Sequence, residues 1–169
     1  MKLGTLLLRN AAISLSQLET GLRTQVLYGG RLGTNLVELG FLDVDALTAH
    51  LGELYQLPTA SPALLEHVTP QILEKVDART AEQLGVIPLG FFEPFPDSLA
   101  VAMIDPRDET ALEQLGERTG AQLAPHVISE LRALYYLEKL YGLPRKARYV
   151  RPGTRRVLTT AGEQIGRAS

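Results

Sequence analysis

Cysteine and tryptophan are absent from this sequence, methionine occurs only twice, and aromatic residues make up 6% of it. Without cysteine there is no disulfide framework, no zinc–thiolate site and no thiol nucleophile, a usage that fits a cytoplasmic protein. Histidines are few as well. His50, His67 and His126 stand outside any HExxH or comparable ligand spacing, so no zinc site is expected. No apolar run reaches the roughly 18 residues a membrane helix needs. The opening MKLGTLLLRNAAISL imitates a secretion signal only briefly, because Arg9 and Asn10 interrupt it and the helical pattern continues, so it reads as folded protein. A phosphate loop of the GxxxxGK[ST] type is also missing. Gly142-Leu143-Pro144-Arg145-Lys146 reads as a helix end running into a basic tail, and no enzyme activity is expected.

What is present is the composition of a globular protein, 45% hydrophobic and 21% charged over 169 residues. The net charge of -2 hides an asymmetry. Residues 144–169 carry Arg145, Lys146, Arg148, Arg151, Arg155, Arg156 and Arg167 against Glu163 alone, a net of +6 that leaves -8 for the rest. An acidic body with a basic end suggests a solvated linker or a segment touching something anionic.

Hydrophobic periodicity divides the chain. Residues 1–57 read as two short helical hairpins. Leu3, Leu6 and Leu7 form an apolar face, Ser14 and Gln17 a capping box, Gly29-Gly30 a break, and Asp43 the cap of a fourth helix carrying Leu47, Leu51 and Leu54. Residues 58–69, rich in Pro, Ser and Thr, read as a connector. Residues 70–143 alternate element types: a helix over 70–84, strands over 85–89 and 99–104, a helix through Leu112 and Leu115, a short strand over 122–125 and a closing helix over 129–141. The expected fold is α+β: a duplicated helical-hairpin subdomain, then a small α/β sandwich subdomain with helices on a three- or four-stranded sheet, then the basic tail at 144–169.

The hairpins repeat at an offset of 29 residues. Lys2-Leu3-Gly4-Thr5 corresponds to Arg31-Leu32-Gly33-Thr34, Leu7 to Leu36, Leu8 to Val37, Leu18 to Leu47 and Leu22 to Leu51. This duplicated unit resembles the N-terminal domain of type II secretion and type IV pilus-extension ATPases. There each half carries R-L-G-x-x-L-V-x-x-G-x-x-x-x-x-x-L-x-x-x-L-x-x-Q, and some members bind cyclic di-GMP through two such units. The second copy here matches except that Leu54 stands for the final Gln; the first has Lys2 for Arg and Ala11 for the second Gly. The strand Leu99–Ile104 followed by Asp105-Pro106-Arg107-Asp108 resembles the family's A-x-x-D-P-x-D, extending the likeness over about residues 1–143.

The resemblance implies cyclic di-GMP as a candidate ligand, with no cofactor required. Arg31, Leu32, Gly33, Leu36, Val37 and Gly40 would make one half-site, and Lys2, Leu3, Gly4, Leu7 and Gln25 the other. The chemistry suits the motif. A guanidinium stacks on a purine face and bonds its edge, whereas lysine is a point charge. Glycine admits close backbone approach, a helix start suits an anion, and glutamine can both donate and accept. Against this stands a purely architectural reading, in which the leucines form hairpin cores and Gly40 ends a helix.

The other motifs have a structural reading first. Asp105-Pro106 is expected to stop a strand, with Asp108 and Glu109 in the next helix's first turn, and Phe91, Phe92 and Phe95 to fold onto the sheet. The arginine-rich tail lacks an accompanying base-reading platform, which places nucleic acid third. The sequence therefore reads as a non-catalytic regulatory or docking domain and a candidate cyclic di-GMP receptor. The alternative is a nucleotide-independent module that docks on an inner-membrane assembly-platform protein or a motor ATPase domain, peripheral to the membrane through that partner.

Overall fold

The computed structural model describes residues 1–146 and Arg148. Four helices build the first unit: α1 (Leu3–Arg9), α2 (Leu15–Tyr28), α3 (Leu32–Glu38) and α4 (Val44–Tyr55). At α2 the Ser14 hydroxyl accepts from the Gln17 amide while the Gln17 side chain accepts from the Ser14 amide, satisfying two backbone donors at once. Asp43 accepts from the Ala46 amide at 2.7 Å and starts α4 in the same way.

The repeat is also visible at the helix ends. Ala12 N–H donates to the Leu7 carbonyl and Ala11 N–H to that of Leu8; at the equivalent positions, Phe41 donates to Leu36 and Gly40 to Val37. Both are Schellman closures, which require a left-handed residue just past the helix. Gly40 takes it with φ 80° and Ala11 with φ 54°.

Glycines set the helix spacing. A Cβ on Gly4 would lie 3.0 Å from Leu18 and 3.5 Å from Leu32; one on Gly33 would lie 2.8 Å from Leu47 and 3.4 Å from Leu3. Each repeat's glycine thus admits a leucine of its own hairpin and the first leucine of the other copy. Leu7, Ile13, Leu18, Leu36, Leu42 and Leu47 form the shared core.

The second unit carries α5 (Pro62–Glu66), α6 (Pro70–Leu73), α7 (Ala78–Leu84), β1 (Val86–Phe92), β2 (Phe95–Met103), α8 (Glu109–Thr119), β3 (Gln122–Val127) and α9 (Glu130–Tyr141). The sheet order is β1-β2-β3. The first pair is antiparallel, with Val86 opposite Met103, and the second parallel, with Met103 opposite Val127. Helix α8 makes the crossover that a parallel pair demands. The α+β class holds.

Three local expectations are corrected. The helix expected over 70–84 is split, because Asp77 caps a new start at α7 by accepting from the Thr80 amide and hydroxyl. The stretch 58–69 is not a bare connector. It contains α5 with Leu65 buried, and the Pro58 carbonyl and Ala60 amide bond Val127 beside the sheet. The phenylalanines are not buried by the sheet: the Phe92 ring lies beside Gly90 of β1, yet Phe91, Phe92 and Phe95 remain exposed at 40%, 42% and 68%.

The two units meet through α4 and α9. Val44 and Leu131 share a small buried cluster there, and buried Arg132 donates to Asp45 at 2.6 Å. The start of the basic tail also folds back. Arg145 pairs with Glu138, while Arg148 donates to the carbonyls of Tyr28 and Gly29 and to Asn35 and Glu38. The expectation of a solvated tail is thus corrected for Arg145 and Arg148; from residue 149 onward the tail lies outside the described residues. Among the described residues no helix is long and apolar enough to cross a membrane.

Candidate functional site

Strands β2 and β3 are parallel neighbours, so their carboxyl ends open on the same side. Loops leaving such ends are where open α/β sheets commonly bind ligands. Ile104, Asp105 and Arg107 follow β2; Ile128 and Glu130 follow β3. The start of α3 faces them.

Arg31, immediately before α3, donates to both Asp105 oxygens at 2.9 and 2.8 Å and to Glu130 at 3.4 Å. Thr34, buried one turn later, donates to the other Glu130 oxygen at 2.8 Å. The bond to Asp105, opposed by partial burial, holds the Arg31 guanidinium pKa above its ordinary value. Both partners of the Arg31–Asp105 pair are about half exposed. Such a pair contributes on the order of 1 kcal/mol, little enough for an anionic or base-edge ligand to compete for the guanidinium.

Beside this pair lies a cavity of about 450 Å³ between the two units. That is within the roughly 300–1,000 Å³ of small-molecule clefts. Of the residues singled out from the sequence, Lys2, Leu3 and Gln25 come to it from the first repeat, and Arg31, Leu32 and Gly33 from the second. Gln25 donates to the Gly30 carbonyl at 3.0 Å, which fixes its amide. Leu54, one repeat further along, occupies the position equivalent to Gln25 and also lines the cavity.

The remaining five are not among its lining residues. Leu7 and Leu36 are fully buried in the hairpin core, Gly4 lies beneath Leu18, Val37 packs toward Val44 and Leu131, and Gly40 closes α3. They shape the helices that carry the others.

The half-sites expected from the sequence left out several lining groups: Thr34, Leu47 and Leu51, named there only as repeat positions, and Tyr55, Arg107 and Glu130. Asp105 was expected as a strand stop within the A-x-x-D-P-x-D resemblance and given no binding role, whereas it holds Arg31 across the units. The parallel strand ends could have flagged Asp105 and Arg107. Nothing local pointed to Glu130, which reaches the site only because α9 packs on α4. Among the described residues no three His, Asp or Glu side chains cluster as metal ligands.

Comparisons with known proteins follow the same lines. The MshEN domain model matches residues 55–147, more than half of the chain. The type IV pilus assembly ATPase PilB of Myxococcus xanthus is 34% identical over 140 residues, 83% of this chain and 24% of that protein. PilB of Thermus thermophilus is 27% identical over 146 residues, 85% of this chain and 16% of that protein. The chain therefore spans a quarter or less of the length of the curated relatives it matches. A structure of MshE with cdg (cyclic di-GMP) superposes with TM-score 0.64 at 28% identity, covering 83% of this chain and 99% of that one. The N-terminal domain of XpsE, 21% identical with TM-score 0.56 over 79% of this chain and 89% of its own, shares the fold.

Proposed function

The chain belongs to the MshEN domain family, and from that premise we propose that it is a regulatory domain of a type IV pilus or secretion system that binds cyclic di-GMP in the cavity between its two units. The observation that carries this reading is convergence. Lys2, Leu3 and Gln25 of one repeat and Arg31, Leu32 and Gly33 of the other border one cavity, although 29 residues separate the copies. The structure of MshE with cdg, at 28% identity, supports the choice of ligand.

In this reading Arg31 lies against a guanine face or edge, already oriented by Asp105 and Glu130. Leu3, Leu32, Leu47 and Leu51 supply the apolar floor, Gln25 a polar contact, and Lys2 a charge for a phosphate. Gly4, Leu7, Leu36, Val37 and Gly40 act through helix packing. The role is non-catalytic, and ligand occupancy shifts how the two units sit on a motor ATPase domain or another partner. Calorimetric titration with cyclic di-GMP, with GTP and ATP as controls, tests it. Saturable micromolar binding, lost in Arg31→Ala with the fold intact, is expected; no heat at ligand concentrations near a millimolar refutes it.

A second reading has its own support. The hairpin between β1 and β2 presents Phe91, Phe92 and Phe95 to solvent, the surface a nucleotide-independent docking module would offer to an assembly-platform protein. In that case Phe92→Ser with Phe95→Ser abolishes capture of the partner's cytoplasmic part, and Arg31→Ala leaves it unchanged.

A further inference from the structure

The cavity departs from the repeat pattern at two lining positions: Lys2 stands where the second copy has Arg31, and Leu54 where the first has Gln25. One planar cation and one amide are therefore missing from a site otherwise built twice. Another cation borders the same cavity from the α+β unit. Arg107 lies with its guanidinium carbon 5.3 Å from the centroid of the Tyr55 ring, and its Nη2 donates to the Tyr55 carbonyl at 3.1 Å.

The two cavity arginines differ in how their charge is balanced. Arg31 is paired with the carboxylates of Asp105 and Glu130. Arg107 forms no ion pair among the described residues, and neither does Lys2. A guanidinium offers five N–H donors, and the Tyr55 carbonyl takes one. The aromatic ring steadies the cation without neutralising it. Among the described residues, the side-chain cations of the cavity without a carboxylate partner are thus Arg107 and Lys2, whereas Arg31 is already balanced by carboxylates.

We propose that Arg107, held on Tyr55, is a ligand-binding residue that takes a phosphate of the bound dinucleotide and supplies the planar cation the first repeat lacks. This rests on the cyclic di-GMP reading above. Arg31 then serves base recognition, Arg107 and Lys2 the phosphodiesters, and the apolar Leu54 is tolerated because the polar contact comes from the other unit. Since Arg107 belongs to the loop after β2, phosphate binding also ties that loop to the end of α4.

The test is a titration of the whole chain with cyclic di-GMP at low and high ionic strength, for wild type, Arg107→Ala, Arg107→Lys, Tyr55→Leu and Arg31→Ala. Each variant is first checked by thermal melting. Losing a charged hydrogen bond weakens binding about ten- to a hundredfold at low salt. That deficit shrinks at high salt, where screening weakens the wild-type contact as well. Arg107→Lys recovers part of the affinity, and Tyr55→Leu, which keeps the carbonyl, loses less than Arg107→Ala. Arg107→Ala affinity within about twofold of wild type, or a deficit equal at both salt levels, overturns the proposal. If wild type binds and only Arg31→Ala abolishes it, this assignment alone fails; if wild type does not bind, the receptor reading fails with it.

Discussion

Replacing Ala11 by glycine should stabilise this protein. Ala11 adopts φ 54° at the left-handed position of the Schellman closure after α1, where the second repeat has Gly40 at φ 80°. A residue with a Cβ loses about 1–2 kcal/mol in that conformation. Glycine avoids the clash but has more backbone freedom to lose on folding, about 0.4–1 kcal/mol. The difference favours Ala11→Gly by about 0.5–1 kcal/mol, and Gly40→Ala should be destabilising by about the same amount. Space is not the issue at Gly40, since an added Cβ meets nothing within 4 Å, so φ alone acts. For a chain of this size a kilocalorie corresponds to about 2–4 °C in Tm. Thermal melts of wild type, the two single variants and the double exchange should therefore order as Ala11→Gly highest and Gly40→Ala lowest, with the double near wild type. Neither residue borders the cavity. A lower Tm for Ala11→Gly would refute the equivalence of the two helix ends.

Other perturbations probe the packing and charge of the fold. Gly33→Val forces carbon into the space of Leu47, whose Cδ1 lies 2.8 Å from the first added atom, and should lower stability by about 2–3 kcal/mol in urea titration. Gly116→Ala in α8 meets only the Ala121 carbonyl at 4.0 Å and should instead gain about 0.5–1 kcal/mol from helix propensity. Asp45→Ala removes the carboxylate that buried Arg132 donates to across the unit boundary, an expected loss of about 2 kcal/mol by the same method. Glu66 is held below its ordinary 4.5, chiefly by the Lys139 bond and also by the Tyr136 hydroxyl. Its stabilising contribution is full above pH 4.5 and lost as pH falls through the lowered value. Glu66→Gln should therefore melt lower at neutral pH and show a flatter decline in Tm below pH 4.5.

The sequence by itself determined the helices of the first unit, their caps and their duplication, because these depend on contacts within a few residues. Ser14 with Gln17, Asp43 with Ala46, and Gly29 and Gly40 at helix ends all act locally. It also placed the strands and the helices α8 and α9, whose periodicity and breakers are local too. The split at Asp77 was harder to read, since the apolar pattern runs across it while the cap to Thr80 ends it. The motif leucines and glycines carried a double meaning that one-dimensional spacing cannot divide. Leu3 and Leu32 border the cavity while Leu7 and Leu36 lie in the core, because one helical turn carries a side chain on the same face about 6 Å along the axis, from the cavity at the helix start into the hairpin interior. Tertiary structure alone decided the rest. Arg31 meets Asp105 across 74 residues and Glu130 across 99, and Arg132 meets Asp45 across 87. Those pairings exist because α9 packs on α4 and the ends of two parallel strands face the start of α3, a geometry set by the closing of two cores against each other.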